Sequence, residues 1–365
     1  MTVFRLHRIV RTMLLVLAAT ASALAQVPDP LPDPDGRPAD HTKPVKVFIL
    51  LGQSNMLGFG RVGPADLQGT LEYMIREKGK YPYLVDESGK WTERQDVRYV
   101  HVMDKRGAGL TDFDVFSDVK NQWLTVSGNF GPELALGHIL GQWLDEPVLI
   151  LKACIGNRSL GWDLLPPGSE RFEFEGRTYA GYRDTPDSWV EGEPKKEVPW
   201  YAGRQYDADT AHAKAVLKNL DKYYPGYQGQ GYQVAGFVFW QGHKDQNPAH
   251  ASRYEQNLVR FIQALREDFS APQAKFVLAT IAFDGDQLKG PGLTVCEAQL
   301  AVDGDQGKYP EFKGNVKAID ARPFWRDKSV SPTNQGYHYN HNAETYMEVG
   351  TALGRAMVEL LQDSD

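Results

Sequence analysis

The chain has 365 residues, of which 42% are hydrophobic and 24% are charged, a balance typical of a globular protein with a large core. Its formal net charge is −7. This acidity argues against a nucleic-acid or anionic-membrane partner, because both require a basic surface, and it favours a neutral substrate.

The first 25 residues are expected to be a secretory signal peptide rather than part of the fold. Arg5, Arg8 and Arg11 precede a short apolar run, and Ala-Leu-Ala at 23–25 has the form of an A-x-A cleavage site. The alternative is an uncleaved membrane anchor, which the short apolar run disfavours. We therefore expect export, to the periplasm or outside the cell, and no membrane contact after cleavage.

The rest of the chain alternates between strand and helix patterns. A proline- and aspartate-rich stretch at 26–44 is expected to be an extended linker, and 45–365 to form a single domain. Apolar runs typical of buried strands recur at 45–51, 147–154, 234–240, 275–281 and 316–320. Helical patterns recur at 132–143, 207–223 and 253–269, and in a last segment that ends near 361. The alternation predicts an α/β fold with a doubly wound parallel sheet.

Two long stretches, 58–121 and 166–206, lack a strong period. We expect them to be loop insertions, and the first to help form the wall of a cleft, since long structured loops in compact domains are usually functional. Within the first stretch, 98–103 alternates weakly, as a short strand would.

A serine follows the first predicted strand directly. That strand stops at Gly52, and Gln53, Ser54 and Asn55 come next. Ligands of open α/β sheets bind at the carboxyl ends of the strands, so a serine in this turn is a candidate nucleophile. The alternative is a polar turn that only caps a helix.

Similar breaks follow the next strands. The second strand ends at Gly156, and Trp-Gln-Gly at 240–242 closes the third. His338 and His341 lie just before the last predicted helix. Together with Gly-Gln-Ser-Asn at 52–55 and in this order, these segments resemble the sialate O-acetylesterase-like branch of the SGNH hydrolases, which includes carbohydrate esterase family six.

The resemblance covers roughly 45–361. It implies a flavodoxin-like three-layer fold and a serine esterase that removes acetyl groups from a polysaccharide or a sialic-acid-type sugar. It implies no metal and no organic cofactor.

The resemblance also implies catalytic roles. Ser54 would be the nucleophile, and the oxyanion hole would consist of the Ser54 and Gly156 backbone N–H groups and the Gln241 amide. His338 is favoured over His341 as the base, because it lies further before the helix and leaves 340–342 for capping.

The acid of the triad is open. Relatives place it in an Asp-x-x-His pattern, but the residue three before His338 is Gln335, and the residue three before His341 is His338. Asp320 and Asp245 are the candidates. A Ser–His dyad oriented by a backbone carbonyl is the alternative.

Five residues near these breaks are candidate substrate contacts: Gln53, Asn55, Asn157, Arg158 and His243. For Arg158, a salt bridge is an equally good interpretation. His243 stands where many relatives have a glutamate, so no role of that glutamate carries over to this chain.

Three alternatives remain at this stage. His338 and His341 form an H-x-x-H pair, but no third metal ligand accompanies them, so no metal site is predicted. Cys154 and Cys296 are expected to be unpaired, although an exported protein could join them. The chain could instead be a catalytically impaired carbohydrate-binding protein, or a general or lipid carboxylesterase. The oligomeric state and the sugar are not predicted.

Overall fold

The computed structural model describes residues 27–105 and 109–362. The predicted signal peptide at 1–25 lies outside them. The strands are β1 (Val45–Gly52), β2 (Glu93–Asp104), β3 (Phe116–Thr125), β4 (Val148–Ala153), β5 (Phe172–Phe174), β6 (Arg177–Tyr179), β7 (Ser188–Trp189), β8 (Tyr232–Trp240), β9 (Lys275–Ala279) and β10 (Val316–Ile319). The helices are α1 (Ser54–Leu57), α2 (Leu71–Arg76), α3 (Glu133–Trp143), α4 (Arg204–Lys218), α5 (Leu220–Tyr223), α6 (Pro248–Asp268), α7 (Pro291–Ala301) and α8 (Ala343–Gln362).

The main sheet has the strand order β10-β9-β8-β1-β4-β2-β3. Its neighbours are parallel except β2 and β3, which are antiparallel. β4 and β8 lie on opposite sides of β1, so the direction in which the chain adds strands changes between them. The carboxyl ends of these three strands meet at that point, which is where ligands bind in such sheets. The predicted doubly wound α/β sheet is confirmed, with one antiparallel edge strand added.

The central strands lie between two layers of helices. Every residue of β4 is buried, as are all residues of β1 except Lys46, which explains why both read as continuous apolar runs. Phe239 of β8 packs on Phe261 of α6, and the next residue, Trp240, packs on Tyr346 of α8. Because consecutive strand residues point to opposite faces, α6 and α8 cover opposite sides of the sheet.

The two predicted loops contain more regular structure than their sequences indicated. In the first, β2 spans twelve residues and pairs with β3, whose start lies inside the stretch predicted to be irregular. In the second, β5, β6 and β7 form a separate antiparallel sheet. These strands of two or three residues are too short to show a period in the sequence.

The lead-in at 27–44 has no helix or strand, and its first residues lie on α8, where Arg355 donates hydrogen bonds to the backbone oxygens of Val27 and Pro28 at 2.9 Å each. Cys154 and Cys296 are both buried and unpaired. Within 27–105 and 109–362, no helix combines the length and the apolar character needed to cross a membrane.

Candidate active site

Ser54 lies at the carboxyl edge of the sheet because β1 ends on a glycine. Gly52 pairs with Trp240 of β8 and has a positive φ of 152°. A Cβ atom there would lie 2.3 Å from the Trp240 backbone oxygen. Only glycine allows the two strand ends to approach this closely. The backbone then turns through Gln53, and α1 begins at Ser54, which is half-buried.

Gly156 faces Ser54 from the end of β4. A Cβ atom built on Gly156 would lie 3.7 Å from the Cβ of Ser54 and 3.6 Å from Cδ1 of Leu57. A side chain at this position would therefore fill the space beside the serine. Its absence leaves that space open.

The segment that carries His338 is joined to the serine turn by hydrogen bonds. The Asn55 amide donates to the Tyr337 backbone oxygen at 3.2 Å. The Tyr346 hydroxyl of α8 donates to Asn55 Oδ1 at 2.7 Å and contacts the His338 backbone oxygen at 3.3 Å. The residue after Ser54 is thus bonded to the residue before His338.

Gln335 contacts both histidines through a single atom. Its Oε1 lies 3.2 Å from Nδ1 of His338 and 2.7 Å from Nε2 of His341. The His338 ring also stacks on Phe59, with ring centroids 3.7 Å apart and an interplanar angle of 12°. One hydrogen bond and one stacking contact therefore set the orientation of the His338 ring.

The backbone after His338 is strained. Tyr339, Asn340 and His341 all have φ between 49° and 57°, in the left-handed region that non-glycine residues rarely adopt. The surrounding structure holds them there. The Tyr339 hydroxyl accepts from the Ala282 N–H at 3.1 Å, and the Asn340 amide donates to the Arg326 backbone oxygen at 3.0 Å.

The histidines of the site favour their neutral forms. Burial, aided by the nearby His341 and His243, lowers the pKa of His338 from 6.5 to about 4. Burial and the Arg61 charge lower the pKa of His341, and burial and the Lys244 charge lower that of His243. A neutral imidazole is the form that accepts a proton.

Asp245 stabilises the loop that carries Gly156. Its buried carboxylate accepts from the backbone N–H groups of Leu160 at 2.9 Å and Gly161 at 2.8 Å, and from Gln241 Nε2 at 2.6 Å. His250 lies 3.5 Å away. Although burial opposes it, the hydrogen bond to Asp187 and the negative charge of Asp245 raise the pKa of His250 to about 10, so a cation balances this carboxylate.

Gln241 is also held tightly. Its Nε2 donates to Asp245 and, at 2.8 Å, to the Arg158 backbone oxygen, while its Oε1 accepts from the Tyr254 hydroxyl at 2.7 Å. Both amide protons therefore have protein acceptors. The side chain joins the end of β8 to the loop after β4.

Asp320 lies apart from the histidines in the hydrogen-bond network. Its carboxylate pairs with the Arg322 guanidinium at 2.6 Å and accepts from the Arg322 backbone N–H at 3.0 Å. The two sequence-predicted acids are thus bonded elsewhere, Asp320 to Arg322 and Asp245 to the Gly156 loop.

The predicted substrate contacts differ in accessibility. Gln53 and Asn55 are buried, and their side chains bond to neighbouring segments. Asn157 is exposed and His243 is half-buried. Arg158 fits both a salt bridge and a substrate contact. Its guanidinium stacks on the Trp200 ring and lies 3.9 Å from the Asp163 carboxylate, while its side chain stays 20% exposed.

Two features of the site were not predicted. Tyr337 is 45% exposed, with its ring centroid 4.5 Å from that of His338. Below the site, Lys152 Nζ is buried 2.6 Å from Glu133 Oε2 and donates to the Leu57 backbone oxygen at 3.1 Å. A lone lysine inside an apolar strand is the signal that could have indicated a buried ion pair.

Among the residues that the structure describes, no group of three or more histidine, cysteine, aspartate or glutamate side chains is placed to hold a metal ion.

Residues 190–359 match the family model described as carbohydrate esterase, sialic acid-specific acetylesterase. The predicted resemblance to the sialate O-acetylesterase-like branch is confirmed. The match supports an esterase, which is a hydrolase, with carbohydrate as the class of substrate. It includes Gln241 and His338 but begins after Ser54 and Gly156.

Three solved structures are similar to this chain. A protein from Arabidopsis thaliana has 15% sequence identity and a TM-score of 0.47, covering 86% of this chain and 98% of its own. A carbohydrate acetylesterase from Xanthomonas citri has 12% identity and a TM-score of 0.44, covering 84% of this chain and 57% of its own. NanS has 12% identity and a TM-score of 0.44, covering 90% of this chain and all of its own. A search of curated protein sequences found no match.

Proposed function

We propose that this protein is an exported carbohydrate O-acetylesterase in which Ser54 is the nucleophile and His338 is the general base. The observation that carries the proposal is the meeting of three chain segments at one edge of the sheet. Gly156 leaves space open beside Ser54, and Asn55 bonds the residue before His338. We further propose that 45–365 forms one esterase domain and that 1–25 directs its export.

The proposed reaction proceeds in two steps. Neutral His338 takes the Ser54 proton as Oγ attacks the acetyl carbonyl, and it then returns that proton to the departing sugar hydroxyl. Water, activated by the same imidazole, hydrolyses the acetyl-serine. The Ser54 and Gly156 N–H groups donate to the oxyanion, each worth roughly 3 kcal/mol at the transition state.

Gln241 remains the proposed third donor, under one condition. Its Nε2 bonds both Asp245 and the Arg158 backbone oxygen. Donation to the oxyanion therefore requires one proton to leave the Arg158 oxygen, while the bond with Asp245 keeps the amide in place.

An exposed aromatic ring supports a sugar as the substrate. Tyr337 presents nearly half of its surface next to His338, and an aromatic face is a good platform for the apolar face of a sugar ring. Asn157, Arg158 and His243 are the proposed polar contacts for its hydroxyl or carboxyl groups. The match to a sialic acid-specific acetylesterase model makes sialic-acid-type sugars one class to test beside acetylated polysaccharides.

The second candidate is a carbohydrate-binding protein with impaired turnover. The specific observation in its favour is that His338 is bonded to a neutral amide and that both protons of Gln241 are bonded within the protein.

Acetate release distinguishes the two candidates. The protein and its Ser54→Ala and His338→Gln variants are incubated with acetylated xylan, other acetylated polysaccharides, O-acetylated sialic acid and a small acetyl ester. Release by the wild type that both substitutions abolish, with labelling of Ser54 by a serine-reactive phosphonate, supports the esterase and identifies its substrate. No release and no labelling would reject it in favour of the binding protein. A preference for long acyl chains would instead indicate a lipid esterase.

A further inference from the structure

We propose that Gln335 is a positioning residue that takes the place of the acidic member of the catalytic set, using its neutral amide oxygen to hold the His338 imidazole. The inference rests on the proposed function, because it concerns how the proposed base is oriented. It assigns the orienting role to a residue without a carboxylate, three residues before His338.

One oxygen of Gln335 faces two histidine ring nitrogens. Gln335 Oε1 accepts from Nδ1 of His338 at 3.2 Å and from Nε2 of His341 at 2.7 Å. An amide oxygen has two lone pairs, so it can accept both bonds at once. With the proton on Nδ1, His338 keeps a free lone pair on Nε2, which is the atom that must take the serine proton.

Gln335 is itself held by the segment it orients. Its backbone oxygen accepts from the N–H groups of His338 at 2.8 Å and Asn340 at 3.1 Å, and its own N–H donates to Thr333 Oγ1 at 3.3 Å. The left-handed turn at 339–341 brings the His341 ring back to the same oxygen. The strained backbone therefore serves to bring both rings to one acceptor.

A neutral acceptor has a different electrostatic effect from a carboxylate. It fixes the ring and the tautomer, but it stabilises the protonated imidazole much less than a carboxylate would, because it carries no negative charge. The charged and titratable groups around His338 are His341 and Tyr337 on its own segment, Tyr346 of α8, His243 after β8, and Arg61 beside His341. All of them are neutral or positive, so His338 loses its proton readily. The His338 imidazole would then stay unprotonated in acidic solution, but it would be a weaker base.

Two substitutions test the hydrogen-bond acceptor and the charge at position 335 separately. Gln335→Glu keeps an oxygen at the same position and adds a negative charge. We expect it to raise the pKa of His338 by about 1–2 pH units. The acidic limb of the pH profile of kcat/KM should move to higher pH by the same amount. Gln335→Met keeps the length of the side chain but removes the acceptor. We expect it to lower kcat about 10- to 100-fold with little change in KM.

The experiment combines NMR and kinetics on the full-length mature protein. The His338 ring is titrated by NMR with ¹³C-labelled histidine, using His338→Gln to assign its signal, and kcat/KM is measured against pH on the acetyl ester that the wild type hydrolyses best. A Gln335 side chain that does not contact the His338 ring would leave the His338 titration unchanged in Gln335→Glu. That result, or full activity of Gln335→Met, would overturn the inference.

The NMR titration needs no turnover, so it tests Gln335 even if no ester is hydrolysed. Absence of activity in the wild type would count against the proposed function alone. Activity that depends on Ser54 but is unchanged by both Gln335 substitutions would reject this inference alone.

Discussion

The buried ion pair beneath the site provides the sharpest stability test. Lys152 on β4 is fully buried, and its only carboxylate neighbour at hydrogen-bond distance in the described structure is Glu133, at the start of α3. Glu133 Oε1 also accepts from the Gly131 N–H at 3.0 Å. Glu133→Gln keeps the shape and that acceptor, but it leaves the ammonium without a counter-charge.

The expected loss is large. Two unit charges about 4 Å apart at an effective dielectric constant of about 20 attract each other by about 4 kcal/mol. Removing one partner of a buried pair typically costs about 3–5 kcal/mol, because the other charge stays desolvated. We therefore expect Glu133→Gln to lower the free energy of unfolding by about 4 kcal/mol, and the melting temperature by roughly 6 °C.

Urea denaturation of a double-mutant cycle measures this effect. Lys152→Met removes the ammonium, and the double variant with Glu133→Gln should be about 2–3 kcal/mol more stable than the two single losses would predict. The matched control is Glu255→Gln, which breaks an ion pair with Lys308 at 2.8 Å in which the lysine is 67% exposed. It should lower the free energy of unfolding by less than about 1 kcal/mol. A loss at Glu133 as small as in the control, or additive single losses, would refute the reasoning.

Two further predictions concern the chemistry of the site. His338 must be neutral to act as a base, and its pKa is lowered to about 4. We therefore expect kcat/KM of the wild type to stay level from neutral pH down to about pH 5 and to reach half its value near pH 4. A midpoint near 6.5 in a pH–rate profile, with the fold checked by circular dichroism, would contradict this assignment. Asp245→Asn should lower the free energy of unfolding, measured by thermal unfolding, by about 1.5–3 kcal/mol and reduce kcat at least tenfold. The reason is that an amide cannot accept hydrogen bonds from the Leu160 N–H, the Gly161 N–H and Gln241 together, as the carboxylate does. An unchanged kcat would show that the Gly156 loop does not depend on this carboxylate.

Much of the fold could be predicted because the central strands are buried on both faces. β1, β4 and β8 are continuous apolar runs, and such runs indicate strands without knowledge of their neighbours. β3 was not predicted because it is an edge strand, and most of its residues are half-buried or exposed and polar. Its pairing with β2 compensates for a weak local pattern.

The candidate site divides in the same way. Ser54, Gly156 and Gln241 could be located because each follows a recognisable strand, and parallel strands bring their carboxyl ends to one edge. The partner of His338 could not be found by searching for a carboxylate, because an amide oxygen accepts the same hydrogen bond. The role of Gln335 became visible only from the contact itself.

The sequence by itself determined the central parallel strands, their alternation with helices, and the edge at which the polar residues gather, because burial and periodicity are local properties of the chain. Only the tertiary structure decided how those residues are used. Asp245 bonds the backbone of the Gly156 loop, 85 residues earlier in the chain, and no local pattern connects the two segments. The left-handed turn at 339–341 is of the same kind, because non-glycine residues adopt it only when distant groups hold them there.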